Sequence, residues 1–136
     1  MKYLTLEEAG IFHGHLGPFL VLGYMAGEIA KEILKPKSEF DLHAEVILPL
    51  RRPYTCVVDG VQCSTKCTLG KLNIELRESK ANSIELVFRS KVSGRVVRIK
   101  VKDGIISKLF SFSSLDEAVN WLRSLLRDKI FEIMVE

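Results

Sequence analysis

Positions 12–18 read Phe-His-Gly-His-Leu-Gly-Pro, which sets two imidazoles, His13 and His15, on either side of a glycine. A neutral imidazole nitrogen can ligate a late transition metal or take a proton from a substrate. It can equally do no more than bond a backbone carbonyl in a tight turn. The spacing alone leaves all three uses open.

A second chemical cluster lies downstream, in Asp-Gly-Val-Gln-Cys-Ser-Thr-Lys-Cys-Thr-Leu-Gly-Lys at 59–71. Cys63 and Cys67 are four apart, so on a helix they share a face and two sulfurs can reach one metal. Buried cysteine also serves as a small hydrophobe. The chain contains no Cys-x-x-Cys pair, the closer spacing usual for zinc. Cys56, isolated between Thr55 and Val57, reads as structural. Lys71 follows Gly70 at the expected end of the cysteine helix. It either sits beside the helix-terminal carbonyls or turns into a cleft to meet an anionic substrate group.

The elements that must position these residues can be read from caps and periodicity. Thr5-Leu-Glu-Glu8 has the form of a capping box and predicts a short helix over 6–12, stopped by Gly14. Gly17-Pro18 opens a second helix, in which Leu22, Met25, Ala26, Ile29 and Ile33 recur at helical spacing. Gly23 and Gly27 leave on it a groove for another element, and a second copy of the chain is an expected occupant. Alternation over 42–48 predicts a strand. Asp59 with Gln62 repeats the cap pattern and predicts a helix from about 60 to 68. Strands are expected over 73–77, 84–91 and 95–101, with a turn at Ser93-Gly94. Asp103-Gly104 reads as a turn into one more short strand, through Leu109. Ser114-Leu-Asp-Glu117 caps a helix running to Asp128, and 130–135 reads as a terminal strand. The order predicts an α+β fold over 1–136: one domain with an open mixed sheet, helices packed against it, and a parallel crossover from strand 42–48 to strand 73–77.

The chain has 136 residues, 47% hydrophobic and 27% charged, as in an ordinary globular protein. Its charges, 20 Lys and Arg against 17 Asp and Glu, are interleaved along the strands. That pattern predicts a solvated sheet surface rather than a nucleic-acid patch. No apolar stretch reaches the length of a membrane span, and the first residues carry no signal peptide. With an odd number of cysteines this predicts reduced thiols in a cytoplasm.

Together the two clusters resemble one family. Phe-His-Gly-His-Leu-Gly-Pro at 12–18, followed by Leu-Gly-Tyr at 22–24, is similar to the F-H-G-H-x-C-P-G…L-G-Y opening of the FmdE family of formylmethanofuran dehydrogenase proteins. Residues 59–73 resemble that family's D-A-I-Q-x-x-T-G-C-T-x-G-K-G-N, and Asp128–Ile133 resembles its closing stretch. Three departures stand out: Gly17 replaces a cysteine, while Lys66 and Leu72 replace glycines.

The resemblance implies the family's core domain without its Cys-rich zinc finger, in a fold similar to the catalytic domain of glyceraldehyde-3-phosphate dehydrogenases, and a homodimer. It implies a cleft lined by His13, His15, Asp59, Gln62, Cys67, Thr68 and Lys71. There His15 and Cys67, with His13 or Cys63, would form a nitrogen–sulfur site for zinc or another late transition metal. Asp59, Gln62, Thr68 and Lys71 would serve as orienting or substrate-facing groups. The implied function is a metal-binding accessory protein of molybdenum- or tungsten-dependent C1 metabolism of the archaeal, methanogenesis type, partnered by the other polypeptides of the dehydrogenase. The alternatives are a small metal- or thiol-dependent enzyme acting on an anionic molecule, or a metal-free dimeric binding module.

Overall fold

The computed structural model describes residues 1–136. Eleven elements follow one another: α1 (Leu6–His13), α2 (Pro18–Leu34), β1 (Leu42–Leu48), α3 (Cys56–Thr65), β2 (Ile74–Glu78), β3 (Glu85–Ser90), β4 (Val96–Val101), α4 (Asp103–Ser111), α5 (Leu115–Arg123), α6 (Arg127–Ile130) and β5 (Phe131–Val135). The sheet order is β2-β1-β3-β4-β5. β1 and β2 run parallel, with Val46 opposite Leu76, and every other pair is antiparallel. The α+β reading with an open mixed sheet therefore holds, and so does the parallel connection through α3.

Strict alternation buries Leu42, Ala44, Val46 and Leu48 on one face of β1. That face carries the core, where Leu86, Phe88, Val97 and Ile99 join Leu22, Ala26, Val57 and Val61 of the two central helices. The opposite face is laced with ion pairs such as Arg77–Glu45 and Arg98–Glu85, the solvated surface its interleaved charges predict.

Helices α2 and α3 cross closely because three glycines meet there. A Cβ on Gly23 would overlap the Val57 carbonyl, one on Gly27 the Ser64 hydroxyl, and one on Gly60 the Leu20 carbonyl. The Gly23/Gly27 groove is thus filled by α3 of the same chain and is not open to a second copy.

Two expectations need correction. The segment after Asp103 is α4, not a strand. Ile105, Ile106 and Leu109 bury together at helical spacing, and Asp103 suits the positive first turn of a helix. Helix α3 begins at Cys56 rather than near Gly60, entered through consecutive turns whose N–H groups bond Arg51, Pro53 and Tyr54 carbonyls. Asp59 is therefore inside the helix and does not cap it. The helix ends at Thr65, with Lys66 in a left-handed C-cap, so Cys63 and Cys67 do not share a helical face.

Candidate functional site

Gly14 ends α1 with φ of 114°, a left-handed conformation that glycine adopts without a Cβ clash. The chain reverses there and lays His13 beside His15, their ring centroids 4.8 Å apart. His13 Nδ1–H donates to Asp59 Oδ2 at 2.6 Å across 46 residues of sequence. The two side chains are 12% and 34% exposed, so the pair is largely withdrawn from water.

Asp59 is in turn held by the motif that follows it. Gln62 Nε2 donates to Asp59 Oδ1 at 3.3 Å, and Gln62 Oε1 accepts from the Leu69 N–H at 3.0 Å. Beyond, Lys71 Nζ donates to Thr68 Oγ1, and the Thr68 N–H donates to the buried Asn73. A continuous line of hydrogen bonds thus runs from His13 through Asp59 and Gln62 into the 3-10 turn Leu69–Lys71. Gln62 orients the carboxylate, while Thr68 and Lys71 tie the turn to itself.

The two imidazoles line a cavity of about 210 Å³ with Gly17, Phe19, Cys56, Phe110 and Phe112 among its walls. Phe19, Tyr54 and Phe110 form a triangle of rings with centroids 5.4–5.6 Å apart. With Nδ1 committed to Asp59, His13 offers Nε2 to whatever enters. A Cβ on Gly17 would lie 3.1 Å from His15 Nε2, so position 17 borders the second imidazole directly.

The cysteine in this cavity is Cys56. Its thiol is raised above its ordinary value, first by burial and then by the charge of Asp59, with Arg52 opposing, and is held protonated. Cys67 lies outside this cavity. It follows the left-handed Lys66, and its Sγ reaches the Leu42 carbonyl at 3.5 Å within the main core. Burial raises that thiol too, against the Thr65 hydroxyl, Lys71 and Lys91. Cys63 packs with Ala9 and Leu20 in a small apolar cluster, and burial followed by the charge of Asp59 pushes it up to about 11.

No three His, Cys, Asp or Glu side chains converge so as to hold a metal ion. The residues present therefore do not fit a closed zinc site. This chain supplies two imidazoles, glycine stands in place of a thiolate at position 17, and two of the three sulfurs face apolar packing.

Cys56 and the phenylalanine walls escaped the sequence reading. The signal for Cys56 was its position three residues before Asp59, a shared helix face that an α3 begun at Gly60 conceals. A larger cavity, about 480 Å³, lies between α2 and the α5–α6 region. It contains no histidine or cysteine, and its arginines Arg123 and Arg127 already face Glu7 and Glu32. The chemistry belongs to the smaller one.

The positions that depart from the resembled motif also have a structural meaning. Lys66 and Leu72, where that motif has glycine, are both left-handed, with φ of 65° and 58°. The backbone keeps the glycine geometry without the glycine.

The family described as "FmdE, Molybdenum formylmethanofuran dehydrogenase operon" matches residues 12–135. The chain belongs to the FmdE family. It is also 36% identical over 114 residues to a probable S-adenosyl-L-methionine-binding protein of Archaeoglobus fulgidus, a match covering 82% of this chain and 30% of that protein. The FmdE-family chain thus spans less than a third of that relative's length. Its fold is similar to the crystal structure of an FmdE-like protein of tungsten formylmethanofuran dehydrogenase from Syntrophus aciditrophicus. That similarity has a TM-score of 0.63 at 18% identity and covers all of this chain and 77% of the other. No helix of the FmdE-family chain is long and apolar enough to cross a membrane.

Proposed function

We propose that this FmdE-family chain is a cytoplasmic accessory protein of molybdenum- or tungsten-dependent C1 metabolism, binding a small organic ligand in the His13 cavity. The observation that carries the reading is the His13–Asp59 pair: an imidazole fixed by a carboxylate, lining a cavity whose other walls are largely apolar. Such a pair holds one tautomer and one ring orientation, which is what directional hydrogen bonding to a ligand requires. Family membership supports the link to formylmethanofuran chemistry. Zinc or another late transition metal would find two imidazoles here and would need its remaining ligands from outside the chain. Association as a homodimer belongs to the same reading. Ile11 and Phe12, both well exposed on α1, are the surface it would bury.

The same pair favours a second reading, an enzyme, because a carboxylate-held imidazole beside a thiol is also an acid–base arrangement. In that case His13 Nε2 accepts the proton and Asp59 steadies the ring.

The test is amide chemical-shift mapping with methanofuran, formylmethanofuran and S-adenosyl-L-methionine, the last because the Archaeoglobus relative is described as a probable binder of it. Shifts centred on residues 13, 15, 56 and 110 support the site. Shifts centred instead on the cavity near Ile29 and Phe131 would overturn it.

A further inference from the structure

We infer that the His13 cavity takes an uncharged or cationic planar heteroaromatic ring and rejects anions. This rests on the cavity being the ligand site and names the class of ligand that its walls accept.

The walls argue first. Phe19, Phe110 and Phe112 present ring surfaces to the cavity, and a flat ligand ring gains most contact from such surfaces. Aromatic faces carry partial negative charge, attracting cations and electron-poor rings and repelling anions. The charges argue second. No lysine or arginine lines the cavity. The cations nearby lie over rings instead, with Lys108 Nζ 5.1 Å from the centroid of Phe112 and Arg51 5.1 Å from that of Tyr54. Asp59, bonded to His13, adds negative charge behind the imidazole. An anion entering here would lose its water and meet no cationic partner, which is strongly unfavourable.

A heteroaromatic ring meets both demands. Its faces stack on phenylalanine, while its edge nitrogens or exocyclic groups reach His13 and His15. The volume of about 210 Å³ admits one ring system rather than a whole dinucleotide. Lys71, the cation expected to meet an anionic substrate, is spent on Thr68.

The molecule contains its own reporter. Trp121 is its single tryptophan, and its ring lies 5.6 Å from that of Phe112, which lines the cavity. The full chain is titrated with adenosine, benzamidine and benzoate, following Trp121 fluorescence and the amide shifts of His13, His15 and Phe110. Adenosine and benzamidine are expected to bind at least about tenfold more tightly than benzoate. Phe110→Ala, at a half-exposed position that keeps the fold, is expected to weaken adenosine binding by about tenfold at an unchanged melting temperature. Benzoate binding at these residues as tightly as adenosine overturns the ligand class and leaves the site standing. Unchanged adenosine binding in Phe110→Ala overturns the stacking on which the inference rests. Absence of any shift at these residues with all three probes at millimolar concentration overturns the class and the site together.

Discussion

His13 and Asp59 meet at 2.6 Å although α1 and α3 are separate helices, and this bond joins the two chemical clusters of the sequence. The first supplies the imidazole, the second the carboxylate, and Gln62 keeps the carboxylate turned toward α1. A hydrogen bond to a charged group contributes about 1.5–3 kcal/mol when buried, and less here because Asp59 is one-third exposed. In a urea-denaturation double-mutant cycle, His13→Ala and Asp59→Ala should show a coupling of about 1 kcal/mol. Strictly additive single mutants would mean that the bond does not hold the helices together.

Gly17→Cys should convert the two-imidazole arrangement into a metal site. Its Cβ would lie 3.1 Å from His15 Nε2, close enough that the ring must shift by a few tenths of an ångström. Gly17 is extended, at φ −118° and ψ 163°, a conformation that cysteine adopts without strain. An added thiolate should raise zinc affinity by about tenfold or more. Competition against a chromogenic chelator reads this. Equal affinities in two folded proteins would show that the new sulfur does not reach the imidazoles.

Leu72→Gly should stabilise the protein. Leu72 is left-handed at φ 58° and 83% exposed, so its side chain adds strain and almost no burial. A non-glycine residue loses about 1–2 kcal/mol in that conformation, partly offset by the greater freedom of glycine in the unfolded chain. The net gain is about 0.5–1 kcal/mol, or roughly 2–4 °C in Tm for a domain of this size. A calorimetric scan showing a lower Tm would contradict it.

Gly60→Ala should do the opposite. In an ordinary helix the change gains about 1 kcal/mol. Here the new methyl meets the Leu20 carbonyl and the Tyr24 amide of α2, backbone atoms that cannot rotate away. The expected loss is about 3 kcal/mol by chemical denaturation, as for severe overpacking. A neutral or stabilising result would mean that the α2–α3 crossing is looser than described.

The thiols predict a pH dependence of one sign. Cys63 is raised from the ordinary 9.0 to about 11 in the fold, so the native state holds its proton longer than the unfolded chain does. Its contribution is fully present below about pH 9 and is lost as the pH rises from 9 to 11. Melting curves at pH 8 and 10.5 should therefore show an alkaline loss that is smaller in Cys63→Ala. In native protein a maleimide should label Cys56 first, since Cys63 and Cys67 are buried. Early labelling of Cys67 would place its sulfur at a surface rather than in the core.

The sequence by itself determined the elements whose signals are local. Thr5 and Ser114 accept from the amides three residues on, as their capping boxes predict. The alternation of 42–48 is β1 to the residue, because period-two burial has no other geometry that satisfies it. The Gly14 turn and the pairing of His13 with His15 were likewise within reach of local reasoning.

What only the tertiary structure decided was direction. Cys63 and Cys67 look like one helical face until the left-handed Lys66 ends the helix between them and turns Cys67 toward Leu42. Asp59 looks like a cap, yet its carboxylate is taken by a histidine that α1 delivers from 46 residues away. Gly23 and Gly27 announce a close neighbour but cannot name it, and the neighbour is α3 of the same chain. Local rules fix the conformation of a segment. Which side chains then face one another depends on how the helices dock, and docking is set by steric fit across the whole core.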